Sequence, residues 1–215
     1  MRFSVRKILS PKQVARALEV SESSVKRWCD QGAIEASYTA GGHRRITLDA
    51  LVDFVRGSKH QLVEPAAVGL PPGTTKSEAA AGDATLQLQE ALRAGNEFEC
   101  RRIVHGLFLA EMSIASICDD VIAPAVNFLG TEWECGQVDV YQERRACEVV
   151  TRLTHELSSL VPAVPEGSPK AIGGGIAGDP YSMASRMVAL VLKDAKWDAT
   201  SLGPGLPLQS FGAAI

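Results

Sequence analysis

Several features are missing from this sequence, and each absence narrows the field. No uninterrupted apolar run approaches the ~20 residues that cross a bilayer; runs such as Met187 to Leu192 stop far short. The N-terminus MRFSVRKILS is basic but lacks the apolar core of roughly 7–15 residues that a secretory signal needs. The expectation is no membrane span and a cytoplasmic location. The five cysteines, Cys29, Cys100, Cys118, Cys135 and Cys147, are odd in number and include no C-x-x-C pair. That argues against a disulfide framework, a zinc finger or any metal site, and leaves buried reduced thiols as the expectation. No internal repeat or low-complexity tract is present, and no nucleophile pairs with a base, so an enzyme is not expected.

What is present is an ordinary globular composition, 46% hydrophobic and 22% charged over 215 residues, enough for real cores and for one large or two to three small domains. The net charge of −3 conceals an asymmetry: residues 1–60 carry a net +5 and the remainder −8. A basic module on an acidic body is the charge distribution of a nucleic-acid footprint, because only the surface facing phosphate needs to be positive.

The local pattern divides the chain further. Ser10-Pro11-Lys12-Gln13 carries a helix-starting cap, a first-position proline and a capping-box glutamine, followed by Val14, Ala15 and Leu18 at helical spacing. Ser21 caps a second helix, Glu22 to Gln31, with Val25 and Trp28 on one face and Gly32 as its stop. Ile34 to Tyr38 and His43 to Thr47 read as a β-hairpin turning at Thr39 to Gly42, and Leu48 to Arg56 as a third helix. The whole predicts a winged helix-turn-helix over residues 1–57. Residues 58–83, rich in Pro, Gly, Ala and Thr, read as a linker. Residues 84–162 predict a four-helix bundle with helices near 84–94, 96–111, 114–134 and 138–160. Pro124 kinks the third of these unless a new segment begins there. Strand, helix, strand over Lys170–Ala177, Met183–Ala195 and Ala199–Leu202 predicts an incomplete α/β segment, residues 163–215, of flavodoxin-like type. The expected fold is thus mainly α.

In a winged helix-turn-helix the second helix enters the major groove. The positions that would face DNA carry Ser23, Ser24, Lys26 and Arg27, suited to phosphate or base-edge contacts. The hairpin tip adds Gly42, which permits a tight turn, and His43, Arg44 and Arg45, which can reach phosphate or the minor groove. The residues Ser10 to Ala15, Val20 to Trp28 and Gly41-Gly42-His43-Arg44-Arg45-Ile46 closely resemble the MerR and excisionase-like helix-turn-helix family, over about a quarter of the chain. The resemblance implies binding to promoter or operator DNA, usually as a dimer. Regulators of the MerR type commonly dimerise through a coiled coil directly after this domain, and no such heptad run follows here.

A second resemblance lies further on. Phe128-Leu129-Gly130-Thr131-Glu132-Trp133, Gly136 and Gln142-Glu143 resemble the helical cap that precedes cobalamin-binding domains in methionine synthase and in photoreceptor repressors of the CarH and LitR type. The photoreceptor cap carries a Trp, nine residues, then Glu-His. Trp133 and Glu143 keep that spacing, but Arg144 stands where the histidine would be. The family's lower cobalt ligand is a histidine in an Asp-x-His-x-x-Gly type motif after the first strand of the α/β domain, and the corresponding stretch here is Asp179-Pro180-Tyr181. Neither guanidinium nor phenol replaces a neutral imidazole, and His43, His60, His105 and His155 all lie outside the motif. Trp133, Glu143, Arg144, Asp179 and Tyr181 are therefore the candidate ligand-cap residues, with no cobalt-ligating histidine among them. Gly173 to Gly178 matches G-x-G-x-x-G, but the resemblance places these glycines inside a strand, where a dinucleotide fingerprint does not belong.

The leading expectation is a bacterial transcription regulator of MerR type that binds duplex DNA and carries a C-terminal sensor or oligomerisation region. Homo-oligomers are expected, and RNA polymerase is a candidate contact. The alternative is a cobalamin-dependent, light-responsive transcription repressor, and a third reading is a corrinoid-carrying enzyme component.

Overall fold

The computed structural model describes residues 7–77 and 79–214. The chain divides into two compact units, Met1–Ala80 with Phe98–Met112, and Ala81–Glu97 with Ser113–Ile215.

The first unit begins with β1 (Ile8–Leu9), a strand too short to announce itself in the sequence, then α1 (Pro11–Leu18) and α2 (Glu22–Asp30). Ser10 caps α1 by accepting from the Gln13 N–H, and Gln13 answers at the Ser10 N–H, the expected reciprocal box. Glu19 adopts a left-handed conformation (φ 52°) at the turn between the helices. Gly32 does the same after α2 (φ 74°) while the Ala33 N–H reaches back to the Trp28 carbonyl, closing the helix end. β2 (Ala36–Tyr38) and β3 (Arg44–Thr47) form the hairpin. β3 also pairs antiparallel with β1, so the sheet order is β1-β3-β2. α3 (Leu48–Arg56) follows directly.

The core of this unit is apolar: Leu9, Val14, Ala17, Val25, Ile46, Leu51, Val52 and Val55 are all fully inaccessible. Trp28 leans on Phe54 (ring centroids 4.9 Å apart) and on His60 (4.7 Å), both rings tilted to it, so α2 is held to α3 by aromatic contact.

Residues 58–77 differ from the expected linker. The N–H groups of Val63 and Glu64 both donate to the Ala17 carbonyl, Arg16 pairs with Glu64, and a 3-10 turn (Pro65–Val68) buries Pro65 and Val68 beside α1. Leu62 and Leu70 are buried too. These apolar residues sit on an irregular backbone, so no helical or strand period marks them, yet they close one side of the core.

The helices expected at 84–94 and 96–111 are α4 (Ala81–Ala94) and α5 (Glu97–Leu109). From Phe98 onward α5 groups with the first unit. There the Arg56 guanidinium lies 3.9 Å over the Phe108 ring and donates to the Phe108 carbonyl at 2.5 Å. A Cβ on Gly106 would come within 2.9 Å of the Thr75 carbonyl, so only glycine fits that crossing.

In the second unit α4 packs on a long helical run composed of α6 (Ile114–Ser116), a π-helical segment (Ile117–Ile122) and α7 (Ala123–Glu134), and on α8 (Val140–Leu160). The run Ile114–Glu134, with mean hydropathy 1.2, is long and apolar enough by length and composition to cross a membrane. Its interruption by polar residues hid this from a count of unbroken runs. The same properties suit a core helix, and Ile114, Ile117, Val121, Ile122 and Ala125 are fully buried within the protein.

Pro124 does begin a new segment. It stands in the first turn of α7, directly after the π-helical segment. Having no N–H, it cannot bond the Asp120 carbonyl four residues earlier. The Thr85 hydroxyl lies 2.9 Å from that carbonyl and 2.8 Å from the Ala81 carbonyl, so its single proton is shared between the two. The chain then forms β4 (Lys170–Gly173), α9 (Met183–Asp194), β5 (Asp198–Ser201) and α10 (Leu208–Ala213), with β4 and β5 parallel and α9 packed on both strands and on α8.

Two outcomes test these packings. Thr85→Val should lower unfolding free energy by about 1 kcal/mol, and less in a Pro124→Ala background, where an N–H is restored to the ladder; additive losses in urea denaturation would disprove the link. Separately, burial, aided by Arg101, lowers the His105 pKa from 6.5 to about 4. The unfolded chain binds a proton below 6.5 that the folded one refuses, so this contribution is complete above pH 6.5 and lost as pH falls toward 4. His105→Leu should flatten the pH dependence of the urea midpoint between pH 7 and 4.5, and parallel curves would refute the assignment.

Candidate functional site

Two groups of residues predicted from sequence fall in different units and are built differently. At the start of α2, Ser21 accepts from the Ser24 N–H at 3.1 Å, and its hydroxyl lies 2.8 Å from that of Ser23 and 2.9 Å from that of Ser24. Ser23 is exposed, whereas Ser24 is partly tucked into this cap. Lys26 pairs with Glu22 one turn back at 2.9 Å, which lowers the Glu22 pKa. That pair is exposed and therefore easily exchanged for a phosphate. Arg27 is exposed, and no ion pair engages it among the described residues.

At the hairpin tip the Thr39 N–H donates to the His43 carbonyl and the Gly42 N–H to the Thr39 carbonyl, a tight turn that needs Gly42 at φ 76°. The Thr39 hydroxyl accepts from the His43 N–H at 3.1 Å. His43 and Arg45 are exposed. Arg44 is not presented in the same way: its Nη2 and Nε both donate to one Asp30 oxygen, at 2.6 and 3.2 Å, and its guanidinium lies 5.6 Å from the Tyr38 ring centroid. Of the residues expected to face DNA, then, Ser23, Lys26, Arg27, His43 and Arg45 are available at the surface, Gly42 shapes the turn, and Ser24 and Arg44 are engaged within the fold. Asp30 and Tyr38 were not singled out from sequence, since an acid at a helix end and a strand tyrosine carry no signal without the contact between them.

In the second unit Trp133 is exposed at the end of α7. Near the start of α8, Glu143 has only 15% of its side chain exposed; it lies 3.5 Å from Arg144 and accepts from the Cys147 thiol at 3.2 Å. Burial, with Glu143 beside it, pushes that thiol up to about 12, so Cys147 remains a thiol. In the loop between β4 and α9, Asp179 accepts from the Tyr181 N–H at 2.9 Å. The Arg144 guanidinium lies 5.1 Å from the centroid of the Tyr181 ring. The two positions where the cobalamin-cap resemblance expects imidazoles thus hold side chains that stack on each other.

The glycine run corrects one expectation. β4 ends at Gly173, so Gly174 to Gly178 follow the strand and are not inside it. The Gly175 N–H is taken by the Gly203 carbonyl at 2.9 Å, and a Cβ on Gly174 would lie 2.8 Å from that same oxygen. The glycines allow two loops to approach closely. Among the described residues no cluster of three metal-ligating side chains occurs.

A basic helix-turn-helix with a hairpin, followed by a helical and α/β unit, defines a class: a DNA-binding module joined to a corrinoid-protein-like region. Comparison with known proteins agrees. Residues 8–59 match the helix-turn-helix domain family and residues 86–157 match the B12 binding domain family. Among solved structures the chain is similar to the monomethylamine corrinoid protein of Methanosarcina barkeri, with TM-score 0.50 and 16% identity, covering 63% of this chain and 64% of that one. The methanol:cobalamin methyltransferase complex of the same organism gives TM-score 0.35 at 16% identity, over 65% of this chain and 56% of that one. A cobalamin-binding protein from Desulfitobacterium hafniense DCB-2 gives 0.32 at 12%, over 63% of each chain. The chain spans less than two thirds of the length of each of these proteins. A search of curated proteins finds no match.

Whether a corrin suits this unit turns on the donors present. Tyr181 is a phenol whose ordinary pKa is ~10, and Arg144 is a permanent cation that cannot ligate a metal. With those two stacked, the residues do not fit cobalt ligation in the manner the resemblance implies. The expected outcome is that protein incubated with adenosyl- or methylcobalamin and freed of excess ligand shows no histidine-ligated corrin spectrum. Stoichiometric corrin colour that changes oligomer size or DNA affinity on illumination would overturn this.

Proposed function

We propose that this protein is a cytoplasmic transcription regulator of MerR type that binds duplex DNA through α2 and the β2–β3 hairpin acting as a wing. The observation that carries the reading is the exposed basic set Lys26, Arg27, His43 and Arg45 on a module that the helix-turn-helix family matches over residues 8–59. The second unit serves as an oligomerisation or sensing region related in fold to corrinoid proteins, and the protein acts as a regulator, not as an enzyme. RNA polymerase is a further candidate contact at promoters.

A second reading, a cobalamin-dependent and light-responsive repressor, is favoured by the B12 binding domain match to residues 86–157. The Arg144–Tyr181 stack weighs against it.

A single small module makes few contacts, and sites read by such modules mirror the symmetry of a dimer. The 215-residue chain should therefore sediment as a dimer or larger at micromolar concentration. It should also bind duplex DNA with an affinity that falls linearly in log salt, losing about one ion's slope for each phosphate contact removed. A strictly monomeric chain, with and without DNA, would refute the association. Binding insensitive to salt would refute the electrostatic reading.

A further inference from the structure

We propose that Arg44 is a positioning residue that clamps the hairpin to the C-terminal end of α2, leaving Arg45 as the phosphate-facing arginine of the pair. The proposal rests on the DNA-binding reading above and divides labour between two adjacent arginines that the sequence presents as equivalents.

Three observations carry it. Arg44 and Ile46 lie two residues apart on β3, and Ile46 is fully buried, so the pleat turns Arg44 toward the body of the unit and Arg45 away from it. Arg44 meets Asp30 at 2.6 Å with 22% of its side chain exposed, in a three-way contact: Tyr38, its cross-strand partner on β2, sends its hydroxyl to the same Asp30 oxygen at 3.4 Å while its ring lies under the guanidinium. The third observation is the position of Asp30, the last residue of α2. A carboxylate there faces the negative end of the helix dipole, an unfavourable position with no benefit inside the helix itself. Its placement makes sense as the anchor of a tie between the groove-reading helix and the hairpin. The bond to Asp30 also raises the Arg44 pKa, in keeping with a committed ion pair. A guanidinium held by a carboxylate is already neutralised, so it would release few counterions from DNA.

The two roles separate by salt dependence. Binding of the full chain to a 30-base-pair duplex of mixed sequence is measured by fluorescence anisotropy between low and moderate salt, for wild type, R45A, R44A, D30A and D30A/R44A. R45A should reduce the slope of log affinity against log salt by about 1, the signature of one lost phosphate contact. R44A should weaken binding about threefold at every salt concentration with the slope unchanged, the scale of one ion pair. D30A is the decisive variant: losing an acid beside DNA would strengthen binding if Arg44 were a phosphate ligand released by the change, whereas loss of the clamp weakens it. D30A/R44A should be no weaker than R44A alone. A slope reduced by R44A, or tighter binding by D30A, overturns the proposal while leaving the DNA reading intact. Failure of wild type to bind any duplex takes down both. If R44A does not fold by circular dichroism, D30A and the R45A slope still decide the matter.

Discussion

Ile46 is fully buried between Leu9 on one neighbouring strand and Ala36 on the other, and the register of the whole hairpin hangs on that burial. Side chains alternate across a strand, so a slip by one residue would bring Ile46 into water and Arg45 into the core. Once Ile46 is fixed, Arg44 has to face inward and Arg45 outward, Tyr38 has to stand opposite Arg44, and the turn has to fall at Thr39 to Gly42. The presentation of the basic residues follows from one apolar side chain. β1, only two residues long, contributes by pairing with β3 and placing Leu9 beside Ile46.

The second unit joins a fold like that of a corrinoid protein to a different set of side chains from those the cap resemblance implies. Its helices pack around a run that contains a π-helical segment, and the Asp120 carbonyl, which Pro124 has no N–H to serve, lies within hydrogen-bond reach of the Thr85 hydroxyl on another helix. That scaffold has the fold of a corrinoid protein. At the positions where the cap resemblance expects imidazoles, however, the Arg144 guanidinium lies over the Tyr181 ring. Fold and ligand are separable properties, because a fold rests on its buried apolar core, here rich in Leu, Ile and Val, and a site on a few loop and helix-end residues.

Much was legible in the sequence alone. The caps at Ser10 and Ser21, the stop at Gly32, the glycine-bearing hairpin, and the helices read near 84–94, 96–111, 114–134 and 138–160 are local matters, decided by short-range hydrogen bonds and by periodicity, and they lie within a few residues of where the pattern placed them. The departures at Arg144 and Tyr181 were also visible as residue types. Tertiary structure alone decided what depends on partners distant in sequence: that residues 58–77 close the first core instead of tethering it, that most of α5 groups with that core, that Arg44 belongs to Asp30, and that Arg144 lies over Tyr181. The physical reason is the same in each case. Hydrophobic period and capping report which face of an element is apolar and where it ends, but the partner of a charged or irregular segment is set by packing across separations of 14 residues for Arg44 and Asp30 and 48 for Arg16 and Glu64, over which no local rule operates.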